Sequence, residues 1–116
     1  MEVKIIKDKI SIAEISEMAE KMFGDFAKAV VDIEQGIMGI GGELHADIEV
    51  KLMEECGSKR ENTWGINIYP KINGEEMIEF DSMVNIKVFL GNKTRGVENR
   101  EIKDRIRKIC NSLIKI

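Results

Sequence analysis

The apolar residues of this chain repeat with a period of two over much of its length. In residues 28–34 and again in residues 64–69, every second side chain is apolar, and residues 78–88 largely keep the pattern. Since successive side chains of a strand point to opposite faces of a sheet, this alternation predicts strands with one buried and one polar face. The dipeptides Gln35-Gly36 and Asn73-Gly74 are typical turns, which predicts an antiparallel meander.

Two segments show helical periodicity instead. Ser11 and Glu14 form a capping-box signature at the start of the first helix, and Gly24 marks its end. Asn99 caps the second helix, whose apolar stripe consists of Ile102, Ile106, Ile109 and Leu113. We therefore predict an α+β fold, an antiparallel β-meander sheet with two helices packed on one face, in the order β-α-β-β-β-β-β-α. Residues 1–116 are expected to form a single domain.

Residues 43–54 fit two secondary structures. Apolar and polar residues alternate there over five pairs, as in a strand, yet Leu44, Ile48 and Leu52 also recur every four residues, as on a helix. The abundance of Ala, Leu, Glu, Lys and Met favours a helix as well. We expect a strand, because five consecutive alternations rarely arise by chance and the turn-forming pair Gly57-Ser58 follows. The helix remains the open alternative.

Composition and charge exclude several classes of protein. Residues 1–9 alternate charged and apolar side chains and lack the apolar run of a signal peptide or membrane span, so we expect a cytoplasmic protein with no membrane partner. Cys56 and Cys110 belong to no CxxC pair and are expected to be free thiols.

The last 24 residues are basic, with eight Lys and Arg against three acidic residues. Nucleic acid could contact the cations of the final helix, namely Arg100, Lys103, Arg105, Arg107 and Lys108. The net charge of −3 argues against this partner, because an acidic protein repels phosphate.

On the strand interpretation, Glu43, His45, Asp47 and Glu49 share one face of the sheet at intervals of about 6 to 7 Å. An imidazole oriented by a carboxylate can act as a general base, which makes His45 and Asp47 the candidate catalytic residues. A solvated acidic strand explains the same pattern more simply.

Other polar residues are candidates for ligand binding. Asn67 and Asn85 occupy equivalent positions in two Asn-Ile pairs, and their amides either bind a ligand or bond each other across strands. Residues 91–96 combine two Gly, two cations and a hydroxyl ahead of a helix, a pattern that suits an anion, with Arg95 as the best candidate. The predicted ligand-binding set is Glu43, His45, Asn67, Asp81, Asn85 and Arg95.

The sequence assigns no metal ligands and identifies no cofactor. One His and two separated Cys are too few for a transition-metal site. A carboxylate site for Mg²⁺ or Mn²⁺ stays open, with candidates Asp47, Glu49, Glu79 and Asp81.

Four sequence motifs, in the same order along the chain, resemble a family of small prokaryotic proteins that is described as a domain of unknown function. The motifs are Gly-Gly-Glu-Leu-His-Ala-Asp at 41–47, Trp-Gly-Ile-Asn-Ile-Tyr-Pro at 64–70, Ile-Glu-Phe-Asp-Ser-Met-Val-Asn-Ile at 78–86 and Gly-Asn-Lys-Thr-Arg-Gly-Val-Glu at 91–98. This chain carries Lys87 and Val88 where the family pattern has Arg and Pro, which weakens any role for a guanidinium there. The resemblance implies no activity.

Two functional hypotheses follow from the sequence. The first is a non-catalytic module that binds a small molecule or a protein through the polar sheet face and the 91–96 loop. A small molecule bound by Arg95 would be anionic. Homo-oligomerisation through an exposed sheet edge belongs to this hypothesis. The second is a small hydrolase or lyase-like enzyme in which His45 and Asp47 act as base and orienter while Arg95 binds an anionic substrate.

Overall fold

A five-stranded antiparallel sheet forms the centre of the computed structural model, which describes residues 2–116. Its strands are, in spatial order, β1 (Lys4–Ile6), β4 (Ile37–Ile40), β3 (Ala27–Asp32), β5 (Thr63–Ile68) and β6 (Ile78–Glu79). A parallel pair joins β2 (Ile10–Ser11) to β7 (Ile114–Lys115). The helices are α1 (Ile12–Lys21), α2 (His45–Cys56) and α3 (Arg100–Leu113). The predicted α+β class with an antiparallel sheet is confirmed.

Helices α1 and α3 cover one face of the sheet and form the larger core with it. Ile15 of α1 and Ile106 of α3 are fully buried in this core together with Trp64 and Ile66 of β5. Apolar side chains of the two helices and of the sheet thus exclude water from this side of the sheet, which stabilises the fold.

Both predicted helix caps are present. The hydroxyl of Ser11 accepts a hydrogen bond from the backbone N–H of Glu14 at 3.1 Å. The side-chain oxygen of Asn99 accepts one from the N–H of Ile102, also at 3.1 Å. Each cap satisfies an N–H that has no partner within its own helix, so the two helices begin where the sequence places them.

The strand prediction for residues 43–54 is wrong, because this segment forms helix α2. Ile48 and Leu52 are fully buried against Val30 on the face of the sheet opposite α1 and α3. Gly39 of β4 makes the approach possible, since a Cβ atom there would lie only 2.6 Å from the side chain of Ile48. Helix α2 thus buries apolar side chains that recur every four residues, and it covers part of the second face of the sheet.

Residues 78–88 also depart from the predicted strand. Only Ile78–Glu79 pairs with β5, and the chain then forms the short 3-10 turns Met83–Asn85 and Val88–Leu90. The segment leaves the sheet where the buried side chain of Asn85 replaces a backbone partner of β5. This irregular segment places several polar side chains beside the second face.

Cys56 and Cys110 are free thiols, as predicted. Among residues 2–116, every helix is too short or too polar to cross a lipid bilayer.

Candidate functional site

Four residues of the predicted ligand-binding set, His45, Asn67, Asp81 and Arg95, form a connected polar group beside the beginning of α2. We call it the His45 cluster. The side-chain amide nitrogen of Asn67 lies 3.4 Å from the backbone oxygen of Asp81. Nε of Arg95 donates to Oδ1 of Asp81 at 2.6 Å. The cluster therefore joins α2, β5, the segment after β6 and the 91–96 loop.

The imidazole of His45 is buried and lies above β5. Its Nε2 is 2.8 Å from the carbonyl oxygen of Ile66, which can only accept, so Nε2 carries the proton and Nδ1 is left as an acceptor. Burial lowers the pKa of His45 below its ordinary value of 6.5, and the hydrogen bond to Ile66 offsets part of this effect. Its surroundings therefore favour the neutral imidazole relative to a solvated histidine.

Asn67 is 6% exposed and has an incomplete set of hydrogen bonds. Its Nδ2 donates to Oε1 of Glu79 at 2.8 Å, while its buried Oδ1 makes no hydrogen bond with any of residues 2–116. The amide is nevertheless close enough to His45 to favour the protonated imidazole. A buried acceptor without a partner costs about 1 to 3 kcal/mol, so this atom stands out as a point where a donor would stabilise the structure.

Arg95 lies at the rim of the cluster, with its side chain 55% exposed. Its Nε is held by Asp81, and within the described part of the chain its two terminal nitrogens donate no hydrogen bond. Asp81 thus orients a guanidinium whose outer edge faces solvent, an arrangement that suits a carboxylate or a phosphate.

The remaining candidates from the 43–49 segment lie elsewhere, because the segment is a helix. Residues two apart on a helix do not face each other, and Asp47 is exposed while His45 is buried. Glu43 is bonded through its backbone: its carbonyl oxygen accepts a hydrogen bond from Nζ of Lys28 at 2.8 Å. The placement of these side chains on one strand face, from which the pairing of His45 with Asp47 was inferred, is wrong.

The 91–96 loop contains an anion cradle that the chain fills itself. The backbone N–H groups of Lys93 and Thr94 donate to one carboxylate oxygen of Glu98, at 2.6 and 3.2 Å. An external anion would have to displace this carboxylate, so Arg95 is the part of the loop that is open to a ligand.

Asn85 and Asn92 are buried amides that hold this region together. Asn85 bonds the backbone of Gly65 rather than Asn67. Asn92 donates to the backbone oxygens of Asn85 at 2.7 Å and Gly96 at 2.9 Å. Because their amide groups are directed at backbone atoms, both residues act as supports of the 3-10 turns and the loop, not as ligand contacts.

Sequence reasoning missed a second polar group, around the fully buried Lys87. Its Nζ donates to the carbonyl oxygen of Val84 at 2.8 Å and lies 3.8 Å from a carboxylate oxygen of Glu49. Burial lowers the pKa of Lys87 to about 8. Glu49 also accepts from Thr63 at 2.6 Å and from Arg60 at 3.2 Å. Solvent does not reach Lys87, so these contacts stabilise the fold. A sequence prediction that placed Glu49 on a helix instead of a strand would have pointed to them.

The cations of α3 are largely engaged by the protein. Lys103 and Arg107 lie over the ring of Phe80, at 5.3 and 5.1 Å from its centre. Arg105 donates to the carbonyl oxygen of Ile33 at 2.8 Å. The helix therefore does not offer a continuous row of free cations to a nucleic acid.

For residues 2–116, no three side chains of His, Cys, Asp or Glu converge in a way that would hold a metal ion.

The fold and these groups define a small α+β domain with a polar cluster on the partly covered face of its sheet. The chain belongs to the family DUF5674, described as a protein of unknown function, whose model matches residues 4–113. No significant match is found among curated proteins or among solved structures.

Proposed function

We propose that this domain is a non-catalytic binding module that takes a small anionic ligand at the His45 cluster. The observation that supports it best is Arg95, whose Nε is fixed by Asp81 while the outer edge of its guanidinium faces solvent. Charge-assisted hydrogen bonds to such an edge are shorter and stronger than neutral ones.

The neighbouring groups favour a polar ligand over an apolar one. Next to Asp81 lies Asn67, whose buried Oδ1 has no hydrogen-bond partner within residues 2–116. A ligand with both an N–H donor and an acidic group would complement Asn67 and Arg95 together. Nδ1 of His45 is an additional acceptor in this cluster.

The geometry supports binding rather than catalysis. The catalytic hypothesis pairs His45 with Asp47, and the ring of His45 is bonded to the carbonyl of Ile66 instead of that carboxylate. Asp47 lies elsewhere on the surface of α2. The hydrolase or lyase hypothesis thereby loses the pair on which it was based.

A titration of the 15N-labelled protein with inorganic phosphate tests this proposal. We expect saturable shifts of the amide signals of Ile66, Asn67 and Arg95. An anion beside the imidazole favours its protonated form, so phosphate should also raise the pKa of His45, measured from its ring proton signals.

The matched variants are R95Q and K93Q, which remove one exposed cation each from the same loop. R95Q should abolish the shifts and K93Q should leave them unchanged. Equal effects of the two substitutions, or shifts confined to Lys93 and Thr94, would show non-specific attraction to the loop and reject the proposal.

We also propose that the domain self-associates. Val88 and Phe89 are 69% and 63% exposed and lie next to the exposed Leu90. Contiguous apolar side chains on a surface often mark an interaction site, and within residues 2–116 β1 is an edge strand that pairs only with β4. Native mass spectrometry should detect a dimer or larger species that F89D converts to monomer; a wild-type protein that stays monomeric at micromolar concentration would exclude self-association.

A further inference from the structure

One cavity among the described residues differs from the His45 cluster in position and in composition. It has a volume of about 320 Å³ and is enclosed by the 70–77 segment, the beginning of α1 and the second half of α3. Its walls are largely aliphatic, with side chains of Ile12, Pro70, Ile72, Met77 and Ile78. A volume at the lower end of the range for small-molecule sites fits a short hydrocarbon body.

One charged side chain, Arg107, forms part of the wall. Its guanidinium lies over the ring of Phe80, with the central carbon 5.1 Å from the ring centre, and the side chain is only 29% exposed. Nε of Arg107 is buried and has no hydrogen-bond partner among residues 2–116. This guanidinium has therefore lost much of its water without gaining an acceptor.

Two carboxylates are near Arg107, but neither is within hydrogen-bonding distance. Glu75 lies 4.0 Å from Nε, and Asp104 lies 3.9 Å from Nη1. Their side chains are mostly exposed, and such ion pairs contribute little to stability. An incoming anion can displace Glu75 at little cost.

We propose that this cavity binds a small carboxylate with a short aliphatic body. The carboxylate takes the place of Glu75 and accepts hydrogen bonds from Arg107, while the hydrocarbon chain packs against Ile12, Ile72 and Met77. Asn111, on the next turn of α3, adds an amide to the polar end of the wall. This ligand class differs from that of the His45 cluster, because it requires an apolar body as well as a charge.

Isothermal titration calorimetry with hexanoate, supported by 15N amide shifts, tests the proposal. Two matched probes accompany it: hexanamide keeps the body and loses the charge, and acetate keeps the charge and loses the body. We expect saturable binding of hexanoate, with shifts confined to residues 70–78 and the Arg107 region. Both control probes should bind roughly tenfold to a hundredfold more weakly, the loss expected when one charged partner or several buried CH₂ groups are absent.

Variants separate this site from the other proposed site. R107Q should abolish hexanoate binding, and E75Q should strengthen it or leave it intact, since Glu75 competes for the guanidinium. R95Q should have no effect on hexanoate, just as R107Q should have no effect on phosphate at the His45 cluster.

Three results would overturn the inference: no saturable binding of hexanoate to the wild-type protein, acetate binding as tightly as hexanoate, or full binding by a folded R107Q. If R107Q fails to fold, E75Q decides, because Glu75 is exposed and its substitution does not endanger the core. Weaker hexanoate binding by folded E75Q would show that Glu75 does not compete and would likewise reject the site.

Discussion

The side-chain amide of Asn85 forms two hydrogen bonds with the backbone of Gly65. Asn85 Oδ1 accepts from the Gly65 N–H at 2.7 Å, and Asn85 Nδ2 donates to the Gly65 carbonyl at 2.9 Å. The amide thus supplies both bonds that a neighbouring strand would give to β5 at this position. The chain can therefore leave the sheet at this point while the N–H and the carbonyl of Gly65 keep hydrogen-bond partners.

Substitution of Asn85 by Asp should therefore be strongly destabilising. The carboxylate cannot donate to Gly65, and it places a negative charge in a fully buried position. We expect the free energy of unfolding in urea to fall by about 3 kcal/mol. N73D, an equivalent change on an exposed loop residue, should cost little; equal losses for the two variants would contradict this role of Asn85.

Gly65 itself should not tolerate a side chain. A Cβ atom there would lie 2.5 Å from the side chain of Ser82 and 2.9 Å from that of Val84. G65A is expected to lower the free energy of unfolding by about 1 to 3 kcal/mol through overpacking. Gly96 is the matched control, because a Cβ atom there has no neighbour closer than 3.5 Å. A G65A protein as stable as G96A would show that the segment over β5 is free to move.

The depressed pKa of Lys87 should make stability rise with pH in the alkaline range. Its pKa is about 8 in the folded protein and 10.5 in an unperturbed lysine, so the unfolded chain binds more protons between these values. The free energy of unfolding then increases as pH rises from 8 to 10.5, by at most about 3 kcal/mol from this group.

The comparison of wild type with K87M isolates that contribution. Burial raises the pKa of Cys110 to about 12, which lowers stability above pH 9 in both proteins and cancels in the difference. Urea unfolding at pH 7.5 and pH 10 should give a wild-type advantage over K87M that grows with pH. A difference that is constant across this range would mean that Lys87 titrates normally.

His45 should make the folded protein less stable at acidic pH. Its folded-state pKa is lowered, so the unfolded chain takes up a proton first as pH falls through 6.5, and stability declines. H45Q retains an N–H for the carbonyl of Ile66 and does not titrate. We expect wild type to lose more stability than H45Q between pH 7.5 and pH 5.5, and identical losses would place the imidazole in contact with solvent.

The elements that the sequence predicts correctly are those decided by local chemistry. The caps at Ser11 and Asn99 depend on residues three positions apart, and the strands at 28–34 and 64–69 depend on alternation between neighbours. Residues 43–54 carry both periods, and the choice was made by a distant residue, Gly39, which leaves room for Ile48.

The site follows the same division. Alternation along β5 placed Asn67 on the second face of the sheet, and the loop composition singled out Arg95. These two residues lie near His45 only because α2 begins beside β5. A strand over residues 43–54 would not have placed His45 there. The surroundings of Lys87 and Arg107 were not visible in the sequence at all, because burial of a cation depends on side chains distant in the chain, such as Glu49 and Phe80.

By itself, the sequence determined the α+β class, the starts of α1 and α3 and the polar residues available to a site, since each depends on propensities and spacings within a few residues. Only the tertiary structure decided that 43–54 is a helix, that Asn85 serves the backbone while Oδ1 of Asn67 has no partner among residues 2–116, and that Arg107 borders a cavity. These outcomes depend on packing and on hydrogen-bond partners across the sheet, and those energies exist only once distant segments meet.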